Sequence, residues 1–148
     1  SFIKLKGSVS GYVPLSFIPY SSLALKLSGE KIWGDFPFFE SAFLGGYESL
    51  RGFERNRFAG DASIAANSEV RFLLSRFKLV VPIYFGMAGF AEAGRVFMSS
   101  FPEGSKKWHK SFGGGLWFSF IYPDMLVSTY AAFSDDDEGY YLNTGFAF

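Results

Sequence analysis

Apolar and polar residues alternate with a period of two along most of this 148-residue chain. Near the N-terminus, Ile3 and Leu5 alternate with Lys4 and Lys6, and the same pattern returns in later stretches. Successive side chains of a β-strand point to opposite faces of a sheet, so this alternation predicts strands with one apolar and one polar face. No stretch carries apolar residues at helical spacing over the length of a helix. The chain is therefore predicted to be all-β.

Seven alternating stretches are present, and they are long for the strands of a soluble protein. Most span about nine to thirteen residues, whereas soluble strands usually have about five or six and a tilted strand needs about nine to eleven to cross a bilayer. This length favours transmembrane strands. The stretches cover residues 3–13, 22–28, 63–75, 83–92, 111–120, 124–133 and 140–148.

The links between these stretches alternate between short and longer. In an up-and-down antiparallel sheet, such alternation puts the short turns on one rim and the longer loops on the other, as in outer-membrane barrels. On this scheme Phe148 is predicted to lie on the short-turn, periplasmic rim. The links are residues 14–20, 30–60, 76–79, 95–110, 122–123 and 134–139.

Charged residues collect on the polar face of the predicted strands, while the opposite face is predicted to carry none. So many charges are natural in a wet barrel lumen and costly in a buried core. A soluble β-sandwich shows the same alternation with its apolar faces inward, and remains an alternative that a detergent requirement would exclude. A transmembrane barrel is the preferred prediction. The polar-face charges are Lys4, Lys6, Lys26, Glu69, Arg71 and Glu92.

Composition narrows the possible functions. The chain has 20 Phe, 8 Tyr and 3 Trp, and its 14 basic residues balance its 14 acidic ones. It therefore lacks the basic excess that draws proteins to nucleic acid. It has no cysteine and a single histidine, so disulfides, thiolate metal sites and histidine clusters are excluded. We expect neither an enzyme nor a cofactor.

The link at residues 30–60 is much longer than an ordinary structureless loop, which suggests that it is functional. It contains a double glycine at Gly45 and Gly46 and the run Leu-Arg-Gly-Phe at 50–53. Downstream come Asn-Ser-Glu-Val-Arg at 67–71, Phe-Ala-Glu-Ala-Gly at 90–94, Ser-Phe-Gly-Gly-Gly-Leu at 111–116 and a terminal Phe. In this order, and over essentially the whole chain, these motifs resemble the BamA-type outer-membrane insertase and transporter superfamily, also called the bacterial surface antigen family.

The resemblance implies a sixteen-stranded barrel, of which this chain supplies about seven C-terminal strands. The remaining strands would come from a missing N-terminal part or from another chain. Residues 30–60 would be a lumen-inserting loop with Gly45 and Gly46 at its turn. One alternative stays open for the arginine of the Leu-Arg-Gly-Phe run. Arg51 would be a solvated loop charge, and Glu69 would pair with Arg71 or a lumenal lysine.

The resemblance also implies a lock that holds this loop in the lumen. The tip arginine of relatives meets an acidic residue on each of the next two strands, and relatives usually have Asp at the second of these positions. The residues of this lock would be Arg51, Gly52, Phe53, Glu69 and Glu92.

The function implied by the resemblance is that of an insertase or polypeptide transporter, which assembles outer-membrane proteins or translocates a polypeptide across the bacterial outer membrane. Phe146 and Phe148 match the family's C-terminal signal, although Asn143 stands where a glycine is usual. The partners would be outer-membrane lipid and an unfolded or passenger polypeptide, with no nucleic acid. Two alternatives stay open: a barrel that anchors or translocates an upstream secreted hydrolase of the patatin-like or phosphoesterase kind, and a passive channel.

Overall fold

The computed structural model describes residues 1–100, 106–120 and 125–148, and it is all-β apart from one short 3₁₀ helix at Phe38–Glu40. Within these ranges, no helix is long and apolar enough to cross a membrane. The strands in chain order are β1 (Phe2–Pro14), β2 (Ser21–Gly34), β3 (Ala42–Leu44), β4 (Phe58–Gly60), β5 (Ala62–Lys78), β6 (Pro82–Phe97), β7 (His109–Phe120), β8 (Met125–Ser134) and β9 (Glu138–Thr144).

Seven long strands form one antiparallel sheet in the order β1-β2-β5-β6-β7-β8-β9. Each long strand pairs with the next one along the chain, so the prediction of an up-and-down sheet of seven strands is confirmed. Several strands extend beyond their predicted ends, with β2 reaching Gly34 and β6 reaching Phe97, whereas β9 ends at Thr144, short of its predicted end at residue 148. The predicted link at 122–123 and residues 101–105 of the link at 95–110 lie outside the described residues.

The two faces of the sheet differ as the alternation predicts. Glu69 on β5 stands opposite Phe90 on β6, and Phe90 stands opposite Gly113 on β7. Directly opposed residues share a face, and we call this one the inner face. The outer face exposes large apolar side chains, among them Leu25, Leu27, Met87, Phe112, Leu116 and Leu142.

Charges appear on the outer face at one rim, where strands run beyond the stretches that the sequence predicts. Lys31, Arg95, Lys110 and Glu138 fall on the outer face by register, near the strand ends that carry the longer links. Strands of this length extend past a membrane's apolar band, so charges at their ends reach the polar interface. In the described part of the sheet, the middle of the outer face remains uncharged.

A local irregularity in β5 also departs from simple alternation. In β5 a bulge between Leu73 and Ser75 moves Ser75 opposite Phe85, onto the outer face, whereas strict alternation places it on the polar face. A bulge adds one unpaired residue and so reverses the facing of everything after it. Local sequence pattern does not reveal such an insertion.

The C-terminal segment turns inward. The last strand ends at Thr144, and Gly145 has a φ of 94° that an L side chain rarely adopts. Beyond this turn the Phe146 ring packs edge-on against Trp117, with ring centres 5.7 Å apart. Strict alternation over the predicted stretch 140–148 would put Phe146 and Phe148 on the outer face beside Leu142, and the structure contradicts that placement.

Inner-face glycines make room for large aromatic rings on neighbouring strands. A Cβ atom at Gly113 would lie 2.7 Å from Cζ of Phe90, and one at Gly115 would lie 2.8 Å from Cδ1 of Tyr130. Real Cβ atoms do not approach this closely, so the rings lie across the strands only because glycine is present. The glycine run in β7 therefore shapes the inner face.

We predict that Gly113→Ala destabilises the protein by about 1–3 kcal/mol, because the new Cβ would collide with the Ala131 carbonyl oxygen of β8 and crowd the Phe90 ring. The matched control is Gly89→Ala on the outer face, where the nearest atom would be 4.0 Å from the new Cβ. The measurement is the temperature at which the compact, fast-migrating form is lost on gels. Equal transition temperatures for the two variants would contradict this account.

Candidate functional site

The connection between β2 and β5 folds back over the inner face. Its β3 and β4 strands form a hairpin in which Leu44 stands opposite Phe58. Gly45 and Gly46 follow with φ values of 120° and 95°, and a Cβ at Gly45 would collide with the carbonyl oxygen of Glu54. The Gly46 amide donates to the Leu50 carbonyl over 3.1 Å, and the Leu50 amide donates to the Gly46 carbonyl over 2.9 Å. This tight turn brings the following residues onto the sheet.

Apolar side chains anchor the loop to the sheet. Leu44, Leu50 and Phe53 are buried together against Ala65 of β5 and Val96 of β6. Burial of a large apolar side chain contributes roughly 1.5–3 kcal/mol. Phe53 therefore lies beside the loop tip as an apolar anchor, in contact with the strands that also carry the acidic residues.

Arg51 lies fully buried between two glutamates of neighbouring strands. Its Nη1 is 2.8 Å from Oε2 of Glu69 on β5, and its Nε donates to Oε1 of Glu92 on β6 over 2.7 Å. The Arg51 backbone amide donates to the other oxygen of Glu92, also over 2.7 Å. Both carboxylates are buried as well. A planar guanidinium suits this divided arrangement because its donors diverge in fixed directions.

Aromatic rings and hydroxyl groups complete the arginine site. The guanidinium carbon of Arg51 is 3.6 Å from the centre of the Phe90 ring and 4.8 Å from that of Tyr130. The Tyr130 hydroxyl lies 3.2 Å from Oε1 of Glu69 and donates to it, and the Ser111 hydroxyl donates more weakly to Glu92. Cation–π contacts strengthen when water is excluded.

The charge state of Arg51 follows from these surroundings. Burial by itself lowers the pKa of the guanidinium, but the adjacent Glu92 and Glu69 carboxylates outweigh it and raise the pKa above its ordinary value. Arg51 is therefore a cation at neutral pH.

Gly52 connects the loop tip to the last two strands. Its amide donates to the Tyr141 hydroxyl of β9 over 2.9 Å, and its carbonyl accepts from the Ser134 hydroxyl of β8, also over 2.9 Å. Gly52 has a φ of 85°, and a Cβ there would lie 3.3 Å from the Phe133 backbone. Only glycine permits the turn and this close approach together.

Polar contacts hold the backbone just before the tip. The Asn67 side-chain amide donates to the Ser49 carbonyl over 2.8 Å, and the Lys26 ammonium donates to the Glu48 carbonyl over 3.1 Å. The loop is thereby bonded to β2 and β5 as well as to β6, β8 and β9.

The structure brings together the residues that the sequence singled out around the loop. It also contains the alternative pairing, because Arg71 Nε lies 2.7 Å from Glu69 Oε1 while Arg51 binds the other oxygen. Phe146 and Phe148 lie apart from the tip and reach it through Arg71. Sequence reasoning missed several contributors to the site. Ser134 lies in a predicted link, and the others lie at polar-face positions of predicted strands: Phe90, Ser111, Tyr130 and Tyr141.

An antiparallel sheet of long strands with an apolar outer face, and a charged loop tip docked on the inner face, is typical of the wall of an outer-membrane β-barrel. The chain belongs to the Omp85 superfamily, whose domain model matches residues 1–148. No curated protein matches the chain. Omp85 barrels are a non-enzymatic family that generally takes part in outer-membrane protein assembly or translocation. The seven strands are therefore part of a barrel embedded in outer-membrane lipid.

We predict that Arg51→Ala lowers the free energy of unfolding by about 3–5 kcal/mol, because two buried carboxylates lose their counter-charge. Arg51→Lys should fall between this variant and the parent, since an ammonium cannot reproduce the divergent donors. The loss of the compact form on gels and protease cleavage within residues 35–61 measure the effect.

The matched control is Arg57→Ala, which removes a half-exposed loop arginine that is 4.0 Å from an exposed Glu54. Exposed pairs of this kind contribute little. If Arg51→Ala and Arg57→Ala were equally stable and equally protease-resistant, the buried ion pairs would not hold the loop.

Proposed function

We propose that residues 1–148 form the C-terminal part of a sixteen-stranded barrel of the insertase or polypeptide-transporter class, in which residues 30–60 are the lumen-inserting loop. The observation that carries this proposal is the fully buried Arg51 between Glu69 and Glu92. A barrel that only encloses a channel does not need a loop fixed to its wall by buried charges. The site would serve to hold the loop and the wall in one arrangement.

The physical basis of the proposed lock is mutual dependence. A buried guanidinium is stable only with its carboxylates, and the buried carboxylates are stable only with the guanidinium. Because Gly52 also bonds to β8 and β9, withdrawing the tip would disturb four strands together. The loop would therefore leave the inner face as a unit or not at all, and while docked it would keep the strands of the wall in one arrangement.

The partners follow from the edges and faces of the sheet. In the described sheet, β1 and β9 each have a neighbour on one side only. Unpaired backbone groups in lipid are costly, so these edges would pair with the remaining barrel strands. The outer face would contact outer-membrane lipid, and an unfolded or passenger polypeptide would be the client.

Loop coverage favours this proposal over a passive channel. The backbone around Ser49, Leu50 and Gly52 is bonded or packed onto the inner face, where a channel would need open space. The anchor of a secreted hydrolase differs from a transporter in what precedes the barrel. A hydrolase domain upstream of Ser1 would favour that alternative.

We predict that Arg51→Ala in the full-length protein impairs outer-membrane protein assembly or passenger secretion several-fold, because the loop no longer holds the wall. The measurement is the amount of folded client, in cells whose only copy is the variant. Arg57→Ala is the control and should retain parental activity. Parental activity of an Arg51→Ala barrel would overturn the proposed role.

Arg51→Lys separates loss of function from loss of the protein. It should assemble into a heat-modifiable barrel and still show reduced activity, since it keeps the charge without the two-sided contact. A fully active Arg51→Lys protein would show that the positive charge suffices and that the geometry is unimportant.

We also propose that the short-turn rim and the C-terminus face the periplasm. Val80, which is almost fully exposed in the turn between β5 and β6, offers a label site on that rim, and Asp136 offers one on the other. We predict that a membrane-impermeant thiol reagent labels Asp136→Cys on intact cells and Val80→Cys only after the outer membrane is opened. The reverse pattern would invert the proposed orientation.

A further inference from the structure

Arg71 lies on the inner face of β5, two residues after Glu69, and contacts the C-terminal segment. Its Nε is 2.7 Å from Glu69 Oε1, and its Nη2 donates to the carbonyl oxygen of Phe148 over 2.6 Å. The guanidinium carbon lies 3.8 Å from the centre of the Phe146 ring. The side chain is largely buried. One arginine therefore bonds to an acid on the sheet, to a tail carbonyl and to a tail ring.

Two hydrogen bonds hold the start of the tail, which we define as residues 145–148. The Gly145 amide donates to the Leu126 carbonyl over 2.8 Å, and the Ser128 hydroxyl donates to the Gly145 carbonyl over 2.5 Å. Beyond these bonds, the Phe146 ring packs against Trp117, and the Lys26 ammonium lies 5.7 Å from the centre of the Phe148 ring. To these ring contacts Arg71 adds a hydrogen bond to the last residue of the tail, together with its own contact to the Phe146 ring.

Glu69 is shared between the loop tip and the tail. Its Oε2 binds Arg51, while its Oε1 accepts from Arg71 and from the Tyr130 hydroxyl. Glu92 differs, because it binds Arg51 and Ser111 near the loop tip. The two glutamates thus form a natural comparison, since both bind Arg51 and one of them also orients Arg71.

We infer that Arg71 is a positioning residue that holds the tail inside the barrel wall, and that Glu69 couples the tail to the loop tip. A carboxylate with both oxygens occupied by guanidinium groups orients each group relative to the other. Neutralising it weakens both attachments, whereas neutralising Glu92 weakens the loop alone. This inference extends the proposed lock to the edge of the sheet where the chain's last strand lies.

Spin-label mobility in the purified full-length protein in detergent tests the coupling. These 148 residues contain no cysteine, so single cysteines can be introduced within them. Ala147→Cys reports on the tail, and Glu48→Cys, an exposed position three residues before Arg51, reports on the loop. Each probe is combined with Arg71→Gln, Glu69→Gln or Glu92→Gln.

We expect a different pattern from each substitution. Arg71→Gln should raise the mobile fraction of the tail label several-fold and leave the loop label at its parental mobility. Glu92→Gln should mobilise the loop label alone. Glu69→Gln should mobilise both. The assay measures position and not client assembly, so it is independent of the outcome of the activity test on Arg51.

Three outcomes would overturn the inference. An immobile tail in Arg71→Gln would show that Arg71 does not hold it. An immobile tail in Glu69→Gln, or a tail equally mobile in Glu92→Gln, would show that Glu69 provides no specific coupling.

If Arg71→Gln does not assemble, Arg71→Lys replaces it in the test, because lysine keeps the charge but lacks the planar arrangement of donors. Its tail should be mobile, and a parental tail would refute the role of Arg71.

Discussion

A buried cation from a loop, paired with two buried acids from the wall, is the constraint on which this structure depends. Arg51 and its two glutamates are each unfavourable away from water, and they are stable only in each other's presence. The loop and the wall therefore cannot be considered separately. Removing either side leaves buried charge without a partner, which is a stronger penalty than the loss of an ordinary hydrogen bond.

The surroundings of the cation are adapted to it. Glycines on β7 let the Phe90 and Tyr130 rings lie across the sheet, and these rings cover the guanidinium. Gly52 brings the loop backbone close to β8 in the same way. Small residues thus create the space, and aromatic rings exclude water from it. The ion pairs gain strength in that dry environment.

The outer face is apolar where the inner face is charged. Its central band presents apolar side chains to lipid, and its charges appear only near the rim of the described strands. The inner face can be charged because the loop and the lumen surround it. The high phenylalanine content consequently has two roles, since outer rings meet lipid while Phe53, Phe90 and Phe146 pack inside.

The sequence by itself determined the seven strands, their two faces and the acids that a loop arginine can reach. Period-two alternation is a local property, so it can be read without knowing the fold. Tertiary structure alone decided the bulge between Leu73 and Ser75, the inward turn of the tail and the sharing of Glu69. The tip's hydrogen bonds join residues 18, 41 and 89 positions apart. Such contacts depend on strand register and loop path, which no local pattern contains.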